Sequence, residues 1–226
     1  MLVILDFDDT AAVENVARLL LDRFGDGAFS QIQAQYSQGK LPFRDYQESA
    51  FRSLPVDVPT LSAYAADAAH LRPGFKEAVE AAKFAGAEIS IVSAGLDFYI
   101  KPVLDRYGYS GVPVTSVGTG GYRGHATAIQ YTYPPLRPDC PTEYAVCKCR
   151  VFEAARLAGR EVVFVGDGMR SDACAAARAS TVFARSRLLD HCRANGIPAQ
   201  PFDDLYPLAA HIGRAARRKT NGRGPA

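Results

Sequence analysis

Long apolar stretches are missing from this 226-residue chain. No run of about 18 hydrophobic residues occurs, so no membrane-spanning helix is expected. The N-terminus also lacks a basic stretch followed by an apolar segment and a small-residue cleavage site, which argues against a secretory signal and makes the cytoplasm the expected location. A large charge excess is absent too, and a net charge of +2 is too small to imply a nucleic-acid partner. The basic excess is concentrated in "GRAARRKTNGRGPA", where five basic residues meet no acid and no aromatic on which a base could stack. Residues 214–226 are therefore read as a flexible, solubilising tail. Internal repeats and low-complexity segments are absent. Of the five cysteines, Cys140, Cys147 and Cys149 follow a C-x6-C-x-C spacing that matches no standard zinc finger or ribbon. With no histidine nearby to complete a tetrahedron, reduced thiols are expected rather than structural zinc.

What the chain does have is 48% hydrophobic residues, enough for one full core and a small second lobe. Runs rich in Val and Ile recur as "LVIL", "ISIV", "VVFV" and "TVFA", each flanked by a segment of helical periodicity. That alternation is the pattern of crossover units, and it predicts an α/β fold with a Rossmann-like parallel sheet flanked by helices. Residues 75–85 place Phe75, Val79 and Ala82 on one helical face, and 97–107 do the same with Ile100, Val103 and Leu104, with Pro102 marking or kinking that helix. Between 13 and 70 the strand pattern disappears, and "ENVARLLLDRFG", "FRDYQESAFRSL" and "TLSAYAADAAHL" read as three helices. The predicted organisation is a core of 1–12 and 71–226 with a small helical cap, 13–70, inserted after the first strand. "LRPGF" supplies the punctuation for re-entry. "VTSVGTGGYRGHATAIQYTYPP" reads as a β-hairpin, either a flap near the site or a surface feature.

In an open parallel sheet, ligands bind beyond the carboxyl ends of the strands. Those positions here hold Asp6 and Asp8, then Ser93, Ala94 and Gly95, then Asp167 with Asp172 shortly beyond. Residues two apart on an extended chain face the same way, roughly 6 to 7 Å apart, so Asp6 and Asp8 can flank one reacting atom while Phe7 turns into the core. Such a pair suits a displacement in which one carboxylate attacks and the other, protonated, hands its proton to a departing oxygen. Acids gathered at one sheet edge repel unless a cation is present, and an oxygen-only donor set points to a hard ion such as Mg2+. The Ser93 hydroxyl and the N–H groups of Ala94 and Gly95 offer donors to anionic oxygens. Lys148 offers positive charge.

Taken in order, "DFDDT", "IVSAG", Lys148 and "VGDGMRSD" resemble the four motifs of the haloacid dehalogenase superfamily phosphatases, over nearly the whole chain. The resemblance implies that Asp6 is the nucleophile forming an aspartyl-phosphate and that Asp8 is the general acid and later the base. It implies that Ser93 and Lys148, with Ala94, Gly95 and Thr10, serve the phosphate, Thr10 orienting the loop. Asp6, the backbone carbonyl of Asp8, and Asp167 would bind Mg2+, with Asp172 assisting at the metal or anchoring Lys148. The insert after the first motif is similar to the cap of the phosphoserine-phosphatase-like branch. "LLLDRFG", "LRPGF", "SAGLDFYIKPVL" and the C-terminal stretch resemble the methionine-salvage 2-hydroxy-3-keto-5-methylthiopentenyl-1-phosphate phosphatases, and the phosphoethanolamine and phosphocholine phosphatases are also similar. The fourth-motif turn carries one residue more than the usual spacing, with Asp167 and Asp172 five apart. Before Lys148 only Cys147 of the subgroup's C-x-x-C remains.

The expected activity is therefore Mg2+-dependent hydrolysis of a small phosphorylated metabolite, with no nucleic acid or membrane as partner and a homodimer left open. A phosphotransferase of the same fold, or a metabolite-binding protein that has lost turnover, are the alternatives. A dehalogenase has no leaving alkoxide for Asp8 to protonate. Substrate choice is expected from Glu14, Arg44, Tyr46 and Gln47 in the insert and from Arg123 in the hairpin.

Overall fold

The computed structural model describes residues 1–121, 126–140 and 145–221, with side chains through Arg217. Chain order runs β1 (Leu2–Leu5), a tight helical turn at Phe7–Ala11, α1 (Val16–Phe24), α2 (Gly27–Ser37), α3 (Phe43–Arg52), α4 (Val58–Ala68), α5 (Phe75–Ala85), β2 (Glu88–Leu96), α6 (Asp97–Arg106), β3 (Val114–Gly120) and β4 (Gln130–Thr132). It continues with α7 (Lys148–Leu157), β5 (Val162–Gly166), α8 (Arg170–Ala176), β6 (Thr181–Ala184), α9 (Ser186–Ala194), β7 (Gln200–Pro201) and α10 (Tyr206–Asn221). The sheet order is β4-β3-β2-β1-β5-β6-β7. Every neighbouring pair is parallel except β3 with β4.

β1 is fully buried because both of its edges are paired and both of its faces are covered, which is why it reads as an unbroken apolar run rather than an alternating one. The four runs picked out by composition are β1, β2, β5 and β6. β3 and β4 form the expected antiparallel ladder, pairing Gly118 with Thr132 and Gly120 with Gln130. Residues 122–125 between them, including Arg123, lie outside the described residues.

Two expectations need correction. The segment between β1 and α5 holds four helices, not three. α2 escaped notice because Phe29 is its sole fully buried side chain, so it lacks an apolar stripe; Asp26 starts it by accepting from Ala28 N–H and Phe29 N–H. The C-terminal tail is also shorter than expected, since α10 carries residues 214–221 as helix, with Ala216 buried.

The chain leaves β1 and returns to α5 side by side. Ala12 bridges Leu71, Val13 N–H donates to His70 O at 2.8 Å, and Arg72 N–H to Ala11 O at 2.8 Å. Phe51 of α3 packs edge-on against Phe98 and beside Tyr99, both on α6. Pro102 sits within α6, where it removes the N–H that Phe98 O would accept. The hydroxyl of Ser62, on α4, donates to that carbonyl at 2.6 Å. An intrahelical defect thus becomes a cross-link between two helices. Ser62→Ala is expected to lower unfolding stability by about 1 kcal/mol, read as a reduced urea midpoint; Pro102→Ala in the same background should recover part of the loss by restoring the helical donor.

Candidate active site

The loop after β1 is held in an unusual shape. Phe7 N–H donates to Asp6 Oδ1 at 2.6 Å. Ala11 N–H and Ala12 N–H donate to the carbonyls of Asp6 and Phe7, at 3.2 and 2.9 Å. Asp9 lies in the left-handed region at φ 58°, a conformation that asparagine and aspartate tolerate better than most residues. Arg72 secures the shape from below. Its Nε donates to Thr10 O at 2.6 Å, Nη2 to Asp9 O at 2.7 Å and Ala12 O at 3.2 Å, and Nη1 to Asp203 O at 2.9 Å. A buried planar fork can reach these four carbonyls together; a lysine ammonium cannot.

Within this loop the two carboxylates are sent to different surroundings. Asp8 Oδ1 accepts from Val16 N–H at 2.7 Å and Ala17 N–H at 3.2 Å, at the start of α1, and Oδ2 accepts from the Tyr99 hydroxyl at 2.9 Å. Burial, then the charge of Asp6, push the Asp8 carboxyl up to about 7, against those three hydrogen bonds. Gly95 makes the Asp8–Tyr99 contact sterically feasible. A Cβ there would lie 2.3 Å from the Tyr99 hydroxyl oxygen and 2.9 Å from Asp8 Oδ2.

Asp6 belongs to a second group. Lys148, the first residue of α7 and fully buried, sets its Nζ 2.7 Å from Asp6 Oδ2 and also bonds Asp172 Oδ1. Burial works against the ammonium charge, but Asp172 and Asp6 outweigh it and its pKa is raised. Asp172 Oδ2 accepts from Gly168 N–H at 3.1 Å, and Thr10 Oγ1 donates to Asp167 Oδ1 at 3.0 Å. Burial, followed by the charges of Asp6 and Asp172, raises the Asp167 carboxyl to about 7. Burial raises Asp172 as well, with Lys148 opposing. Gly166 permits this crowding, since a Cβ there would lie 2.6 Å from Asp172 Oδ2.

One oxygen each from Asp6, Asp167 and Asp172 lie within 4.8 Å of one another. This all-carboxylate donor set, with its charges crowded enough to raise two of the three pKa values, fits a hard divalent cation such as Mg2+. The side chain of Asp8 is not in the set, so any part it takes at a cation falls to its backbone carbonyl. The acids open into a cavity of about 430 Å3, lined also by Ser93, Ala94 and Gly95, by Tyr36 of α2, and by Phe43, Tyr46, Gln47 and Phe51 of α3.

The residues singled out by sequence do not all meet there. Thr10 is fully buried and gives its hydroxyl to Asp167 rather than lining the cavity, so it positions an acid instead of contacting phosphate. Gly95 N–H donates to Ser93 Oγ at 3.1 Å, which takes it from the set of free anion donors. Lys148 lies beneath the cavity wall, reaching it through Asp6 and Asp172. Of the specificity candidates, Tyr46 and Gln47 line the cavity, and Gln47 Nε2 donates to Ala94 O at 2.9 Å. Glu14 instead engages the backbone and ring of His70, and Arg44 stacks on Tyr133 at 4.2 Å. Arg72 and Tyr99 were missed. Both lie inside stretches that carry the family resemblance, "LRPGF" and "SAGLDFYIKPVL", but their partners come from distant positions that spacing cannot reveal.

The family model for haloacid dehalogenase-like hydrolases matches residues 3–177. The chain belongs to this family. The hydrolase is similar to the 2-hydroxy-3-keto-5-methylthiopentenyl-1-phosphate phosphatase of Exiguobacterium sibiricum, with 26% identity over 213 residues covering 93% of this chain and 95% of that one. It is 28% identical to the bifunctional enzyme MtnB/MtnX of Bacillus licheniformis, covering 96% of this chain and 50% of that protein. A solved phospho-aspartyl intermediate analogue of phosphoserine phosphatase shares the fold, with a TM-score of 0.68 and 18% identity over 93% of this chain and 98% of that chain.

The crowding of acids in this hydrolase has a measurable cost. The folded pKa of Asp167 lies above its unfolded value of 3.8, so its ionisation removes stability as pH rises through that interval, fully above about 7. In EDTA-treated protein, Asp167→Asn should therefore melt about 2–4 °C higher than wild type at pH 8, with the gap closing towards pH 4. Added Mg2+ should raise the melting temperature of wild type and leave that of the variant where it was.

Proposed function

We propose that this hydrolase cleaves a phosphate monoester of a small cytoplasmic metabolite, with helices α1–α4 forming a cap over a core made by the rest of the chain. The observation that carries the reading is the separation of two carboxylates on one loop. Asp6 is tied to Lys148 inside the acid cluster, while Asp8 is held out of that cluster by Tyr99 and the first turn of α1, with its pKa raised to about 7. Phosphatase-named relatives at 26% identity support it.

Asp6 attacks phosphorus, the bond to the leaving oxygen breaks, and Asp8 delivers its proton to that oxygen. The ionised Asp8 then takes a proton from the water that hydrolyses the aspartyl-phosphate, returning both groups to their starting states. Ser93 offers a hydroxyl to the phosphoryl oxygens. Lys148 holds the Asp6 carboxylate in place through its contact at Oδ2. Asp6, Asp167 and Asp172, with the Asp8 carbonyl, would hold Mg2+, which supplies countercharge to the phosphoryl group when bound.

Asp6→Asn is expected to reduce turnover of p-nitrophenyl phosphate about a thousandfold or more, with EDTA abolishing wild-type activity and Mg2+ restoring it. Asp8→Asn should slow alkyl phosphates by about a hundredfold to ten-thousandfold and p-nitrophenyl phosphate much less, because a nitrophenolate leaves without a proton. Equal activity of Asp6→Asn and wild type in a steady-state assay would sink the reading.

A further inference from the structure

Two guanidinium groups in the cavity are not accounted for by phosphoryl transfer. Arg170 and Arg187 both line it, from the start of α8 and the first turn of α9. Neither forms an ion pair or hydrogen bond with a carboxylate among the described residues, whereas Arg18, the third arginine of the lining, is held by Asp22 at 2.7 Å. Arg170 stands on the fourth-motif turn, the one with the extra residue. Asp172 clamps the base of that turn through Gly168 N–H, and Arg170 reaches across to α2 and α3, its guanidinium carbon 5.3 Å from the Tyr36 ring centre and 4.9 Å from that of Phe43. Stacking of this kind occupies a face of the guanidinium and leaves its N–H edge free for a planar anion. Tyr36 is itself stacked on Tyr46 at 4.1 Å, which fixes the wall on which Arg170 rests.

Arg187 is presented by an unusual backbone. Ser186 before it adopts φ 47°, in the left-handed region, without being glycine. Such strain persists where surrounding contacts impose it, and here Leu188 N–H donates to Asp167 O at 2.9 Å while Arg185 N–H donates to Gly166 O at 3.2 Å. The strained turn is thereby tied to the acid cluster. Arg170 and Arg187 thus face one cavity, neither paired with a carboxylate among the described residues.

We infer that Arg170 and Arg187 form a subsite, in the same cavity, for a second anionic group on the substrate besides the reacting phosphoryl, a carboxylate or a second phosphate. The inference rests on the hydrolase reading above and narrows its substrate class. It sets this pocket apart from one built for an ester whose single anion is its phosphate.

The test uses three phosphate monoesters of matched chain length ending in a hydroxyl, a carboxylate or a second phosphate. Wild type should show kcat/KM at least tenfold higher for one or both anion-ended esters than for the hydroxyl-ended one, and the higher of the two identifies the group. Arg170→Ala and Arg187→Ala should each lower that ratio about tenfold, and Arg187→Glu should lower it further. Calorimetric binding of the same esters to Asp6→Asn, alone and combined with Arg187→Ala, should show the same preference and the same loss. Hydrolysis of all three esters with no preference, or arginine variants that leave the ratio unmoved, would overturn the subsite and leave the hydrolase reading intact. Absent turnover of every ester, with Asp6→Asn still preferring the anion-ended ones, would overturn the hydrolase reading and uphold the subsite.

Discussion

A buried ammonium held between two carboxylates is the constraint on which the rest of this structure depends. Lys148 has no solvent contact, and its partners Asp6 and Asp172 come from widely separated parts of the sequence. Transferring such a charge out of water costs several kcal/mol and is tolerable only while the partners stay in place. The requirement locks the end of β1, the start of α7 and the start of α8 into one arrangement. Asp167 and Thr10 then fall beside them, because the parallel pairing of β1 with β5 brings Asp6 N–H to Val165 O at 3.0 Å. Sheet register and charge balance enforce the same geometry.

The unfavourable features of the molecule gather around that centre. Asp9 is left-handed, two carboxyl groups are raised to about 7, and Gly95 and Gly166 mark places where no side chain fits. Strain and crowding of this kind are stored where a ligand is to be received. The stabilising counterweights lie just outside. Arg72 satisfies four carbonyls beneath the loop, and the aromatic contacts of Phe51 with Phe98 and Tyr99 seat α3 on α6. Tyr99 links the two levels, since one ring packs in the core while its hydroxyl orients Asp8.

The segment between β1 and α5 meets the core in two physically different ways. α3 and α4 are attached through buried contacts, Gln47 to Ala94 and Ser62 to the carbonyl freed by Pro102. α2 has one fully buried side chain and touches the core side of the cavity through the Tyr36–Arg170 stack. The stack of Tyr36 on Tyr46 also ties α2 to α3.

How much of this was legible beforehand follows from the range of each interaction. The strands "LVIL" and "VVFV", the helix at 75–85 and the acids at three strand ends were readable because periodicity and strand-end chemistry are local properties of the chain. α2 was not, because its helix depends on an Asp26 cap and a single buried phenylalanine rather than a repeating stripe. Sequence alone determined the α/β class, the family motifs and the identity of the acids, since each is written in adjacent residues. Only the tertiary structure decided that Asp8 answers to Tyr99, that Thr10 serves Asp167, that Glu14 turns away to His70, and that Arg170 and Arg187 share one cavity. Those outcomes join positions up to 157 residues apart, and the energy of a hydrogen bond or a charge depends on separation in space, which the order of residues does not contain.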